Sequence, residues 1–294
     1  MKYILLAVTM TVCLSSAIIL KFCSGRFKNK DVMYHVYNMI ISLVSCIGLF
    51  AVSGGLKISL FTLGLGTVFG VVTAMQTIFS MKAISKGPLS YTTVISSLST
   101  IIPAMSGFVF WNEEISTIQI VGVFLMLLCF VLSVDYSTPD KKASLLWLIY
   151  ALGAFLCTGL IGVMQKWHQN TPYKTELDGF LVIAFAISTV YSFVQLLIVK
   201  QKHSFGFSDF KSEVSPCIIT LIIIAGACVA ANNKINLYLS GVLDSAVFFP
   251  VVNGGHLILT AVASYILFKE RLSCQKIIGF MIGIVSVILL CNPF

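Results

Sequence analysis

Charged residues are scarce in this 294-residue chain, and their scarcity excludes a soluble protein. Asp, Glu, Lys and Arg together make up 10% of the sequence, whereas soluble proteins carry about 25%. Hydrophobic residues make up 58%, and the few charges cluster between long apolar runs. Because a helix of about 20 apolar residues spans the bilayer core, the composition predicts an all-α polytopic membrane protein.

Long polar segments are also missing, so no part of the chain outside the apolar runs could fold as a separate domain. Ten runs are predicted to be transmembrane helices: 3–20, 33–52, 60–81, 88–110, 117–134, 145–165, 178–199, 216–239, 244–268 and 275–291. A polar break over 136–144 follows the fifth run. It predicts a first five-helix repeat over 1–135, a linker over 136–144 and a second five-helix repeat over 145–294.

Two similar segments support a duplication. Residues 111–122 read WNEEISTIQIVG and residues 268–279 read FKERLSCQKIIG, an offset of 157 positions. The matched pairs are Glu113 with Glu270, Ser116 with Ser273, Ile120 with Ile277 and Gly122 with Gly279. Each copy contains five runs, an odd number, so the two halves are predicted to be inverted in the membrane, as in alternating-access carriers.

The matched glutamates and serines are predicted to be structural caps. Ser116 and Ser273 immediately precede apolar runs, where a hydroxyl can accept from the free N–H groups of a helix start. Glu113 and Glu270 lie just before them and favour the positive end of the helix dipole. The glutamates and serines are therefore assigned to architecture rather than to ligand binding.

The net charge of +8 is a topology signal. Fourteen of the 19 Lys and Arg residues lie in the loops that follow the first, third, fifth, seventh and ninth runs. The positive-inside bias places those loops in the cytoplasm and both termini outside it. We therefore predict an integral plasma (inner) membrane protein that does not bind nucleic acid.

Metal-binding patterns are absent from the sequence. The nine cysteines form no CxxC pair, and no histidines occur at ligand spacing. Most of the cysteines fall within apolar runs, where they are typical of small packing residues. We expect no metal and no cofactor. Acidic residues are also absent from the middle of every run, since all eleven lie in loops or at run ends.

Polar residues inside apolar runs are costly unless they face a cavity or a partner, so they mark a candidate substrate pathway. The candidates in the fourth and ninth runs are Ser96, Ser97, Ser99, Thr100, Asn253 and His256. Helix breaks are predicted beside them at Pro103, Pro250, Gly254 and Gly255. The alternative for the serines and Thr100 is a bond to their own backbone.

Further candidates lie in the third and eighth runs. Gln76 aligns with Asn233 at the 157-residue offset, which predicts that both side chains face the interior. Lys234 follows Asn233, and two alternatives remain for it. Its ammonium either snorkels to the nearby membrane interface or points inward and supplies positive charge to a cavity.

These motifs resemble a known family. The segment GPLS at 87–90, IIP at 101–103 and the NEEIS segment, with FPVVNGG at 249–255 and FKERLS in the second half, are similar to the EamA-type transporters of the drug/metabolite transporter superfamily. The resemblance covers essentially the whole chain and implies ten helices in two inverted halves. One position departs from the pattern, since Ser245 stands where a counterpart of Pro88 would fall.

The resemblance implies secondary transport, most often export, of a small metabolite, amino acid or drug-like molecule. The expected partners are that small-molecule substrate and the lipid bilayer, and the chain is expected to be a monomer or a homodimer without enzymatic activity. Because no acid lies within a membrane run, proton coupling would fall to His256, whose ordinary pKa is about 6.5. The alternatives are a membrane structural or assembly subunit and, last, an intramembrane hydrolase.

Overall fold

The protein is an all-helical membrane protein. The computed structural model describes residues 2–24, 26–27, 30–86, 89–133, 144–203, 215–268 and 273–291. Within them the α-helices are α1 Lys2–Ser24, α2 Lys30–Val52, α3 Leu60–Lys86, α4 Leu89–Leu98, α5 Ile101–Trp111, α6 Thr117–Leu132, α7 Leu145–Gln169, α8 Leu177–His203, α9 Pro216–Ser240, α10 Ser245–Phe268 and α11 Cys274–Cys291. A single 3₁₀ turn, Lys174–Glu176, precedes α8.

Nine segments in the described part of the chain are long and apolar enough to cross a membrane. One of them, Tyr91–Trp111, consists of most of α4 together with α5. The fifth predicted run is also an apolar helix, but α6 has only 16 residues. At 1.5 Å per residue it is about 24 Å long, shorter than a typical hydrocarbon core.

Four helices extend four or five residues beyond the ends of the predicted runs. The runs were expected to end at 20, 81, 165 and 199, but α1 ends at Ser24, α3 at Lys86, α7 at Gln169 and α8 at His203. The added turns are rich in Lys, Gln and Ser, which favour the membrane boundary but do not break a helix. The extension matters most in α7, because it makes Lys166 part of a packed helix rather than of a loop.

The chain divides into two compact units. Unit 1 contains residues 1–6, 75–172 and 237–294, and unit 2 contains residues 7–74 and 173–236. Each unit therefore includes parts of both predicted repeats. The predicted linker 136–144 lies outside the described residues except for Ser144, whose Oγ accepts a hydrogen bond from Trp147 N at the start of α7 (3.1 Å).

In unit 2, α3 packs closely on α8 through two glycines. A Cβ at Gly66 would lie 3.1 Å from Phe180 O, and one at Gly70 would lie 2.6 Å from Ala184 O. Small residues four positions apart let helix backbones approach in this way. Ser188 Oγ also donates to Gly70 O (3.2 Å) across the same contact. A second cluster joins the buried apolar face of α2 to α9.

In unit 1, α6 and α11 make a similar glycine contact. Cβ atoms at Gly122 and Gly283 would lie 2.8 Å from Leu290 Cγ and 2.6 Å from Cys129 Sγ. Ser286 Oγ donates to Gly122 O (2.6 Å). Since this contact is close and hydrogen-bonded, Gly122 and Gly283 serve helix packing within the chain.

Candidate functional site

The fourth predicted run breaks near its middle. Helix α4 ends at Leu98 and α5 begins at Ile101, so Ser99 and Thr100 form a turn between them. Here the hydrogen bonds shorten to the three-residue pattern, with Thr100 N donating to Ser97 O (3.3 Å) and Ile102 N to Ser99 O (3.1 Å).

Proline explains the position of this break. Pro103 has no N–H to donate to Ser99 O, four residues earlier, and its ring crowds that carbonyl. Ser99 O is bonded by Ile102 N instead. The predicted break at Pro103 therefore occurs three to four residues before the proline itself.

The break is joined to the ninth run. Asn253 Nδ2, on α10, donates to Thr100 Oγ1 (2.9 Å). Thr100 is 3% exposed, whereas Asn253 is exposed. Two of the predicted pathway residues thus meet at the break within unit 1. At the 157-residue offset Asn253 is the counterpart of Ser96, one helical turn before Thr100.

The prediction of a second break, at Pro250, Gly254 and Gly255, is wrong. Helix α10 is continuous from Ser245 to Phe268 with Pro250 inside it. Pro250 is the sixth residue of the helix, so its missing N–H leaves only one carbonyl, close to the helix start, without a hydrogen bond. Its fixed φ suits a helix. Gly254 is a packing position, since a Cβ there would collide with the Met126 side chain of α6.

The remaining candidates of unit 1 bond locally. His256 Nε2 lies 3.2 Å from Thr260 Oγ1, one turn along the same helix. Gln76 Nε2 donates to Ser80 Oγ (3.1 Å) on α3. Ser96 and Ser97 are half-buried on α4, and Ser99 Oγ donates to Ser96 O (2.6 Å), the own-backbone alternative.

In unit 2, Lys234 forms an ion pair that the sequence did not predict. Its Nζ lies 2.7 Å from Asp178 Oδ1, and the side chains are 37% and 25% exposed. The sequence placed Asp178 at the start of a run, and the fold brings that helix start beside α9. The lysine charge is therefore matched by a carboxylate within its own unit. Asn233 Nδ2 donates to Val229 O (2.9 Å) along α9.

A third polar contact of unit 2 was missed by sequence reasoning. Thr9, fully buried on α1, places Oγ1 2.6 Å from Asn232 Oδ1 and 2.8 Å from Asn236 Oδ1. The two asparagines are four residues apart, so they share a face of α9. That four-residue spacing could have predicted a shared polar face on α9.

The largest omission lies at the end of α7. Lys166 and Glu113 form a buried ion pair in unit 1, with side chains 5% and 11% exposed. Lys166 Nζ also donates to Leu243 O (2.9 Å), and Glu113 Oε2 accepts from Ser245 N (2.7 Å). The sequence placed both residues in loops, and only the fold reveals that they are buried together.

The capping residues divide into three cases. Ser116 Oγ accepts from Gln119 N (3.2 Å) and Gln119 Oε1 from Ser116 N (3.0 Å), which completes a capping box. Ser273 Oγ accepts from Lys276 N (3.4 Å) at the start of α11. Glu113 was expected to face the helix that follows it, but its carboxylate caps α10 instead. Glu270 lies outside the described residues.

No group of three or more His, Cys, Asp and Glu side chains that could hold a metal ion occurs among the described residues. The nine cysteines are free thiols. Each unit therefore offers amides, hydroxyls and one of the two ion pairs described above. Such groups bind small polar molecules by hydrogen bonds.

Comparison with known proteins shows the fold and no more. No family model matches the sequence, and no curated protein matches it significantly. Among solved structures, 29 chains match. One crystal structure superposes with a TM-score of 0.70 at 12% identity and covers 99% of this chain and 96% of its own. The chain therefore shares an overall fold with a protein of very different sequence.

Proposed function

We propose that the protein is a secondary transporter that moves a small metabolite, amino acid or drug-like molecule across the plasma membrane by alternating access. The proposal includes membership of the EamA-type transporters, with ten transmembrane helices in two inverted five-helix repeats. It uses no cofactor and performs no covalent chemistry. Export is the direction that the family resemblance implies.

The observation that carries the proposal is the broken fourth run. Ser99 and Thr100 lie near the middle of the Tyr91–Trp111 segment. In a transmembrane helix that position is surrounded by lipid chains rather than by water. Non-helical backbone at that depth is tolerated only where protein covers it or where it lines a cavity. Here it is joined by Asn253 from the other predicted repeat. Polar groups at broken helices near the midplane are typical of carrier substrate sites.

The ion pair in unit 1 supports the count of ten helices. Glu113 precedes α6, and Lys166 lies at the far end of α7. The two side chains touch, as expected if the chain between them crosses the membrane an even number of times. If the 16-residue α6 did not cross, these residues would lie on opposite faces, about 30 Å apart.

The charges of the described helices favour a substrate without a large net charge. Lys234 is matched by Asp178, and Lys166 is matched by Glu113. We therefore propose a neutral or zwitterionic metabolite as the substrate. His256, hydrogen-bonded to Thr260 on the same helix, is the proposed proton carrier if transport is proton-coupled.

A thermal-shift screen of the purified protein tests the proposal. Amino acids and other small metabolites are added singly, and ligands that raise the melting temperature are then measured for uptake in proteoliposomes. Thr100→Val removes the hydroxyl that Asn253 contacts. We expect it to abolish the ligand-induced shift or to raise the ligand concentration needed for that shift at least about tenfold. The reason is that the Asn253 amide is left without its partner.

Thr189→Val is the matched control. Thr189 Oγ1 donates only to Phe185 O of its own helix (2.7 Å), so its loss should leave the ligand effect unchanged. The proposed site is refuted if both variants respond to ligand like the parent protein. The proposed function is refuted if ligands bind but no uptake or counterflow occurs, as an assembly subunit would behave.

A further inference from the structure

The buried ion pair of unit 1 links three separate pieces of the chain. Lys166 lies on α7, Glu113 lies in the loop 112–116, and Leu243 and Ser245 flank the start of α10. Lys166 contacts the carboxylate and the Leu243 carbonyl. The other carboxylate oxygen accepts from Ser245 N. The loop is therefore held over the first turn of α10 by one glutamate side chain.

Stability alone does not account for such a pair. Taking two opposite charges out of water costs about as much as their attraction returns, so a buried pair is close to neutral against apolar residues of similar size. What the pair adds is attachment. The carboxylate satisfies an N–H at the positive end of α10, and the lysine holds the carboxylate in place.

The segment that carries Glu113 is bounded by irregular backbone at both ends. Helix α5 starts after the break at Ser99–Thr100 and ends at Trp111, and the next residue, Asn112, has a left-handed conformation (φ 50°). Helix α5 and the following loop thus form a short arm. Gly107 of this arm accommodates the carboxylate, because a Cβ there would collide with Glu113.

The attached arrangement also carries a cost. Ser245 is fully buried, and its Oγ has no hydrogen-bond partner. A buried hydroxyl without a partner is unfavourable, and the cost is removed once water reaches it. The ion pair therefore holds the loop against the first turn of α10, although this contact leaves the Ser245 hydroxyl without a hydrogen bond.

We propose that Glu113 and Lys166 form a latch. In the closed state described here, loop 112–116 covers the N-terminal turn of α10. When the pair separates, the loop lifts and the first turn of α10, with Ser245, becomes accessible to water. The latch involves unit 1 alone and does not depend on the proposed transport function. In a carrier of the predicted topology it lies on the non-cytoplasmic side.

Thiol labelling tests the latch directly. Ser245→Cys is introduced into a variant in which Cys129 is the only other cysteine, and a small maleimide is added to the protein in detergent. Cys129 is fully buried between α6 and α11, so it reports global unfolding. The latch is then opened by Glu113→Gln or Lys166→Met.

Two exposed charges of the same types provide matched controls. Glu114 and Lys174 are exposed, and Glu114→Gln and Lys174→Met make the same chemical changes without touching the buried pair. We expect each latch variant to raise the labelling rate at position 245 at least about tenfold more than it raises the rate at Cys129, because Cys129 follows only the change in global stability. We expect the control variants to label like the parent.

Two results would overturn the latch. One is an unchanged labelling rate at position 245 in both latch variants. The other is a parallel rise at Cys129, because the pair would then only maintain the fold. Amide hydrogen exchange of residues 245–249 tests the same opening without any introduced cysteine. The exchange rates are compared between the natural sequence and Glu113→Gln. Faster exchange confined to that turn supports the latch, and equal exchange contradicts it.

Discussion

Replacing Gly70 by alanine is expected to loosen the contact between α3 and α8. The new Cβ would lie 2.6 Å from Ala184 O and 2.9 Å from Ile187 Cβ. Neither atom is at the end of a flexible side chain, so one backbone must move. Overpacking of this kind costs about 1–3 kcal/mol. Alanine also favours the helix over glycine by about 1 kcal/mol, which leaves a net loss of roughly 0–2 kcal/mol.

Gly64 on the same helix provides the control, because a Cβ there would meet no atom within 4 Å. Gly64→Ala should therefore keep only the helix gain of about 1 kcal/mol. The two variants should differ by about 1–3 kcal/mol in the free energy of unfolding, measured by denaturant titration in one detergent. Equal unfolding free energies would refute the close approach of α3 to α8.

Two further predictions concern ion pairs and topology. Removing one member of the buried pair, as in Lys166→Met, should cost about 3–5 kcal/mol. The half-exposed Lys234 allows Lys234→Met to cost less than about 1 kcal/mol, as the same titration would show; similar losses would contradict the difference in burial. The exposed Cys217 and Cys274 should react with an impermeant maleimide only from the cytoplasmic face. Labelling from outside would reverse the predicted topology.

Much of the helical arrangement followed from the position and length of the apolar runs. The predicted runs coincide with helices because a bilayer leaves the backbone no other partner than itself. Helix boundaries shifted where Lys and Gln extend a helix past the apolar core, as at the end of α7. The break at Ser99–Thr100 was anticipated from Pro103, since a missing N–H acts locally.

Side-chain partners were harder to anticipate. Pro250 resembled Pro103 in the sequence, but it lies near a helix start and leaves α10 continuous. Lys234 had two plausible environments, and neither named its partner Asp178, 56 positions away in the chain. A partner that is distant in sequence leaves no pattern in either segment. Local rules therefore identified which residues of the apolar runs were polar, and they did not identify what those residues bind.

The sequence by itself determined that the protein lies in a membrane, where most of its helices begin and end to within a few residues, and that Pro103 interrupts the fourth run. Those properties depend on hydrophobicity and backbone hydrogen bonding, which act over a few neighbouring residues. Only the tertiary structure brought Glu113 to Lys166 and Asn253 to Thr100. Such contacts join residues more than 50 positions apart, and their energy depends on burial that exists only after the helices have packed.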